Sequence, residues 1–195
     1  MSRMEALDPG EHTDTKTAIL DATVEIMREQ GYAAVSSRKV AERAGLKSNL
    51  LYYHYKTMDD LFLAVFQRAE ERHFGAQAKA LAAEQPLRAL WQMSTDASNT
   101  GITAELIAAS NHRKALRQEI ARSSERSRKL EAALLERCLR DTPFDRAGLP
   151  PLFLSLVMTA ISRLLAMDSV LGVSAGHAET AACMEAFLAQ VEPLD

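Results

Sequence analysis

Apolar side chains return every three or four positions along most of this chain, the period of a helix with one buried face. Ile19, Ala22, Thr23, Ile26 and Met27 mark a first helix from Thr15, and Gly31 is placed to end it. Ser36 and Ser37 offer an N-cap to a short helix carrying Val40, Ala41 and Ala44, which stops at Gly45. A second short helix begins near Ser48 and holds Leu51 and Tyr55. Thr57 reads as the next N-cap, with Asp59 and Asp60 in a first turn that favours negative charge. Leu61, Phe62, Val65 and Phe66 carry that helix on to about Ala83.

The second half repeats the pattern. Pro86 fits a first helical position ahead of Leu87, Leu90 and Trp91. A break near Asn99–Gly101 precedes a short piece from Ala104 to Ala109, and then a long polar helix from about Lys114 to Arg140. Pro150-Pro151 opens a helix apolar on most sides, Leu152 to Leu171, and a last helix runs from about Ala178 to Val191. The pattern predicts an all-α chain of about nine helices, with no strand and no repeat. Residues 1–14, with the turn signal Pro9-Gly10, read as a flexible arm.

Composition narrows the class. Of 195 residues, 47% are hydrophobic and 25% charged, ordinary globular usage for one domain or two small ones. The N-terminus shows no signal-peptide pattern. The most apolar stretch, Gly148 to Ser162, is broken by Arg163 short of the ~18 residues of a membrane span. These features lead us to expect a soluble, cytoplasmic protein. Cys138 and Cys183 lack the spacing of a disulfide scaffold or a zinc site. His12, His54, His73, His112 and His177 are scattered. No phosphate loop, His-Glu-x-x-His or Gly-x-Ser-x-Gly occurs, so no enzyme, metal or cofactor is expected.

Charge is uneven. The net charge is −3, yet residues 15–56 carry a net +3 from Lys16, Arg28, Arg38, Lys39, Arg43, Lys47 and Lys56 against Asp21, Glu25, Glu29 and Glu42. That small basic module contains the segment SSRKVAERAGLKSNLLYYHYK, residues 36–56. A capped short helix, a Gly-containing turn and a second short helix make a helix-turn-helix. Val40, Ala41, Ala44, Leu46 and Leu51 supply its packing, and the small alanines allow close approach. The second helix then exposes Ser48, Asn49, Tyr52, Tyr53 and His54, a face able to enter a DNA major groove. A Tyr-Tyr-His-Tyr-Lys run exposes more aromatic surface than a plain packing helix would.

The same residues resemble the tetracycline-repressor (TetR) family of bacterial transcriptional regulators. The likeness rests on Gly31-Tyr32, Ser36, Val40-Ala41, Ala44-Gly45-Leu46, Leu51-Tyr52-Tyr53-His54-Tyr55-Lys56 and Asp60-Leu61-Phe62, and covers about residues 15–66. The resemblance implies an N-terminal DNA-binding domain over 15–57 and a helical ligand-binding and dimerisation domain over 58–195. It places Ser37 at a phosphate, Arg38 at a phosphate or base, and Tyr52, Tyr53, His54 and Lys56 on backbone or base edges. Leu51 and Tyr55 match buried positions. The chain departs from the family at Lys47, usually Ser; at Asn49, often Gly; at Leu50, often small and polar; and at Met58, where a phosphate-binding Lys is common. Ser48 is then the alternative cap, and Leu50 could meet a thymine methyl. The DNA-facing set is therefore Ser37, Arg38, Lys47, Ser48, Asn49, Leu50, Tyr52, Tyr53, His54 and Lys56.

In the remaining two thirds, hydroxyls interrupt two apolar stripes. Ser94 and Ser98 follow Leu87, Leu90 and Trp91, while Ser123 and Ser127 lie between Ile120 and Leu130. Such hydroxyls either bond back to their own helix or line a pocket for a largely apolar effector. The pocket reading takes Trp91, Ser94, Ser98, Ile120, Ser123, Ser127, Met158 and Ile161. The helix 152–171 must be covered on two sides. Paired with the last helix it suits a two-fold, four-helix seam through Leu154, Met158, Leu165, Phe187 and Val191. The reading is a homodimeric, ligand-responsive DNA-binding regulator, a repressor released from a palindromic operator by an inducer. The alternatives are an activator, or an all-α ligand- or partner-binding module without DNA binding.

Overall fold

The structure, a computed structural model, describes residues 9–96, 100–140, 142 and 148–193. These form nine α-helices and no strand: α1 (Pro9–Gln30), α2 (Ser37–Arg43), α3 (Ser48–His54), α4 (Met58–Leu81), α5 (Pro86–Thr95), α6 (Thr100–Ser110), α7 (Lys114–Cys138), α8 (Pro151–Leu171) and α9 (His177–Val191). A single 3₁₀ turn, Tyr32–Ala34, follows α1. The all-α expectation holds. The main difference is at the start of α1, which opens at Pro9 inside the stretch expected as an arm. Proline is tolerated in a first helical turn because its missing N–H has no helical partner there.

The helices gather into two compact units, one built from residues up to 69 with 102–120, the other from 70–101 with residues from 121 on. In the first unit, α1 serves two clusters. Ile19, Ala22 and Ile26 pack with Val40 of α2, Leu51 and Tyr55 at α3, and Leu61 of α4. Met27, near the end of the same helix, packs with Phe62, Val65, Ile102, Leu106, Ala109 and Leu116. Each fully buried Leu, Ile or Phe here contributes about 1.5–3 kcal/mol.

Polar contacts fix the same unit. Arg68 pairs with Asp21 at 2.6 Å, and Arg113 reaches Asp59 at 3.1 Å while lying 4.2 Å over the Phe62 ring. Glu105 of α6 accepts the Tyr32 backbone N–H at 2.6 Å. That amide follows Gly31, whose φ of 79° turns the chain out of α1.

The second unit packs Leu87 and Leu90 of α5 against Leu134, Leu135 and Leu139, and against Met184 and Leu188 of α9. Its α5 begins at Pro86 with no capping side chain from Gln85. The buried carboxylate of Glu192 takes that role instead, accepting from the backbone N–H groups of Leu87 at 2.8 Å and Arg88 at 3.0 Å. A carboxylate at a helix N-terminus satisfies unpaired donors and the helix dipole together.

Helix α8 is long and apolar enough to cross a bilayer by length and composition, with a mean hydropathy of 1.6. Arg163 lies within it and is exposed. Ser155, Ser162 and Ala166 face inward, while Leu152, Phe153, Leu156, Leu164, Met167, Val170 and Leu171 are exposed.

Candidate nucleic-acid interface

The turn between α2 and α3 is built from backbone hydrogen bonds. Gly45 N–H donates to Glu42 O at 3.2 Å and Leu46 N–H to Ala41 O at 2.8 Å. This paired closure needs a left-handed residue, supplied by Gly45 at φ 69°. Upstream, the Ser36 hydroxyl accepts the Lys39 N–H at 3.4 Å and starts α2. Downstream, Thr57 and Asp60 exchange two 3.0 Å bonds in a capping box that starts α4. Helix α3 has no side-chain cap, and its N-cap is Lys47 rather than Ser48. Both ends of the motif are thus pinned by local chemistry.

Within α3, Leu51 is fully buried, and Tyr55 just beyond is 8% exposed. The opposite face carries Ser48, Asn49, Tyr52 and Tyr53, with Lys47 and Lys56 flanking, all exposed. Tyr52 and Tyr53 are 49% and 53% exposed, large apolar rings left at the surface. Tyr53 stacks edge-on against His54, centroids 5.2 Å apart. The Tyr52 hydroxyl donates to Ser37 Oγ at 3.0 Å, joining α3 to the first residue of α2. Leu50, Ser37 and His54 are half-buried, and Arg38 is exposed.

The cations sort into two groups. Arg43 forks onto Glu29 at 2.8 Å and reaches Glu25 at 3.3 Å. Hydrogen bonding to Glu29 raises the guanidinium further and draws the Glu29 carboxyl down. Lys39 donates to Gln30 at 2.9 Å. Arg38, Lys47 and Lys56 make no ion pair among the described residues. Free cations, serine and tyrosine hydroxyls and an asparagine amide therefore share one solvent-facing surface. These groups bind phosphate oxygens and base edges. Met58 is half-buried and packs on both clusters of the first unit, so it is a core residue where the family often has a surface lysine.

The effector residues read from the sequence separate in the structure. Trp91, Ser94 and Met158 line a small cavity of about 10 Å³, room for roughly one water. Ser94 bonds back to Leu90 O at 2.8 Å. Ser127 lies beside that cavity, bonded to Gln77 and Glu131. Ser123 is half-buried, and Ser98 lies outside the described residues. Ile120 packs in the first unit's core. Ile161 lines an open groove of about 360 Å³ with Glu179, Thr180, Cys183, Met184 and Phe187. The remaining cavity walls, which the sequence reading missed, are Leu87, Leu90, Glu131, Leu135, Ser155 and Thr159.

The seam residues read from the sequence are all partly buried in the single chain. Leu154, Met158, Phe187 and Val191 pack on their own core, and Leu165 is half-buried. A helix apolar all round does not reveal by spacing which side faces inward.

A capped, glycine-turned helix pair with this exposed face is a helix-turn-helix module of the DNA-binding type. Comparison with known proteins relates this module to a family. Residues 19–65 match "Bacterial regulatory proteins, tetR family", and the resemblance to the TetR family is thereby established for this module. The chain is 30% identical over 60 residues to the HTH-type transcriptional regulator AcrR of Shigella flexneri, covering 31% of this chain. It is 33% identical over 49 residues to the fatty acid metabolism regulator protein of Bacillus subtilis, covering 25% of this chain. It spans 28% and 25% of those two proteins' lengths. The fold matches a TetR transcription regulator from Haloarcula marismortui with a TM-score of 0.72 at 18% identity, over 91% of this chain and 97% of that one.

Proposed function

We propose that the protein is a DNA-binding transcriptional regulator that acts in the cytoplasm as a homodimer. In this reading it represses from a palindromic operator and is released by a small-molecule effector. The observation that carries the reading is the α3 surface, where exposed Tyr52, Tyr53, Asn49, Lys47 and Lys56 stand over a rigidly closed Gly45 turn. Phosphate contacts from Ser37, Arg38, Tyr52 and Lys56 would set register, and Ser48, Asn49, Leu50 and Tyr53 would read base edges.

The exposed apolar side of α8 and the open groove lined by Ile161 and Phe187 support dimerisation. Its exposed Leu152, Phe153, Leu156, Leu164 and Met167 are large apolar side chains on one face, of the kind a partner covers. Two copies meeting there by a two-fold axis would present two α3 helices to half-sites about 34–36 Å apart or at a larger spacing. The mostly apolar cavity with polar groups in the second unit supports an effector site. An effector favouring a conformation with poor half-site spacing would release DNA by differential affinity for two states.

The test is selection of bound sequences from random DNA by the purified protein at two salt concentrations. Enrichment of a palindrome, weakened by salt, is the expected result. A folded dimer that enriches no sequence overturns the regulator reading.

A further inference from the structure

The cavity in the second unit has one feature that apolar packing does not need. Glu131 lines it, and four neutral donors hold its carboxylate. Ser155 Oγ donates at 2.7 Å and Thr159 Oγ1 at 3.4 Å to one oxygen. Ser127 Oγ at 3.1 Å and Gln77 Nε2 at 3.2 Å donate to the other. No lysine or arginine makes an ion pair with Glu131 among the described residues. Hydrogen bonds from neutral donors orient the half-buried carboxylate without supplying a counter-charge. Gln77 is fully buried in the same cluster, and its Oε1 has no hydrogen-bond partner. Glu131 thus places a negative charge at the cavity wall, with no lysine or arginine ion-paired to it among the described residues.

The apolar lining is Leu87, Leu90, Leu135, Met158 and Trp91. We infer that this chamber takes an amphipathic organic cation, its ammonium paired with Glu131 and its apolar body laid against Trp91 and the leucines. A cation over an indole face gains further from the ring quadrupole. No basic residue lines the cavity, so an anionic head group would meet only repulsion from Glu131. The cavity is closed down to about 10 Å³. Entry therefore displaces side chains, and the flexible Met158 is the one suited to move. This inference rests on the effector reading of the second unit.

Trp91 is the only tryptophan in the chain, so its fluorescence reports on the chamber directly. The full-length protein is titrated with decyltrimethylammonium, with neutral decanol and with anionic decanoate, and the Glu131→Gln variant is titrated alongside. The cation is expected to saturate at a concentration about tenfold or more below that of either of the other two. Glu131→Gln is expected to weaken the cation about ten- to a hundredfold and leave decanol unchanged. Should the variant fail to fold, the wild-type series of three charges decides alone. Decanol or decanoate saturating at the same concentration as the cation, or a lower one, overturns the assignment and leaves the effector reading standing. No saturable response to any of the three, from protein that circular dichroism shows to be folded, overturns both.

Discussion

Tyr52 and Ser37 show how one hydrogen bond prepares a surface. Their 3.0 Å contact spans the two short helices at the solvent face and orients both hydroxyls before any partner arrives. Tyr52→Phe keeps the ring and removes the bond. DNA affinity is expected to fall roughly two- to tenfold while thermal stability stays nearly unchanged, as for most exposed substitutions. Fluorescence anisotropy with a labelled operator and a melting curve check the two halves. His73 gives a residue-scale pH effect. Although His73 is exposed overall, desolvation of its ring, edge-on to Phe74 and 3.3 Å from Ser127, pulls it below its ordinary value of about 6.5, Arg163 adding to the pull and Glu131 and Glu70 opposing it. The fold therefore favours the neutral ring. Its contribution is complete above that ordinary value and is lost as pH falls through it toward the lower folded one. Urea midpoints at pH 7.5 and 5.5 should drop less for His73→Asn than for the wild type. An equal drop would mean that another group titrates.

At the scale of elements, end chemistry decides where helices begin. Glu192 satisfies two donors of α5 from the far end of the chain, binding α5 to the segment after α9. Glu192→Ala leaves buried N–H groups without partners and is expected to cost about 2 kcal/mol in urea unfolding. A change within experimental error would show that water replaces it without penalty. The helix-turn-helix was legible because its signals are local. Ser36, Gly45, Thr57 and Asp60 each act within a few residues, and the structure places them as their spacing implied. Glu192 and Glu131 were not legible, since an isolated acid in a helical pattern reads as solvated. A signal for Glu131 did exist. It follows Ser127 by four on one stripe of α7, and Ser155 and Thr159 repeat that spacing on the otherwise apolar α8.

Across the whole molecule, α8 divides its work between two sides. Leu154 and Met158, expected at the seam, pack partly buried against the second unit's core, while Leu164 is 53% exposed. Leu164→Glu is expected to yield a folded monomer in analytical ultracentrifugation, and Leu154→Glu to unfold the second unit. A Leu164→Glu protein that stays dimeric would move the seam elsewhere. Cys183 gives an independent check, since it is exposed in the single chain and lines the groove beside Phe187. Dimerisation over that groove would slow its alkylation. Cys138, whose thiol burial pushes up, should react slowly in either state.

The central claim is that the α3 surface grips DNA. Its most direct test is the salt dependence of operator affinity for the wild type, Lys56→Ala and Tyr53→Ala, each checked for intact folding. Lys56→Ala is expected to weaken binding and to lower the log–log salt slope by about 0.9 for each phosphate the lysine neutralises. Tyr53→Ala is expected to weaken binding with little change of slope. Wild-type affinity and slope in both variants would contradict the account, because these side chains would then be solvent-facing ornaments of a module that meets DNA elsewhere or not at all.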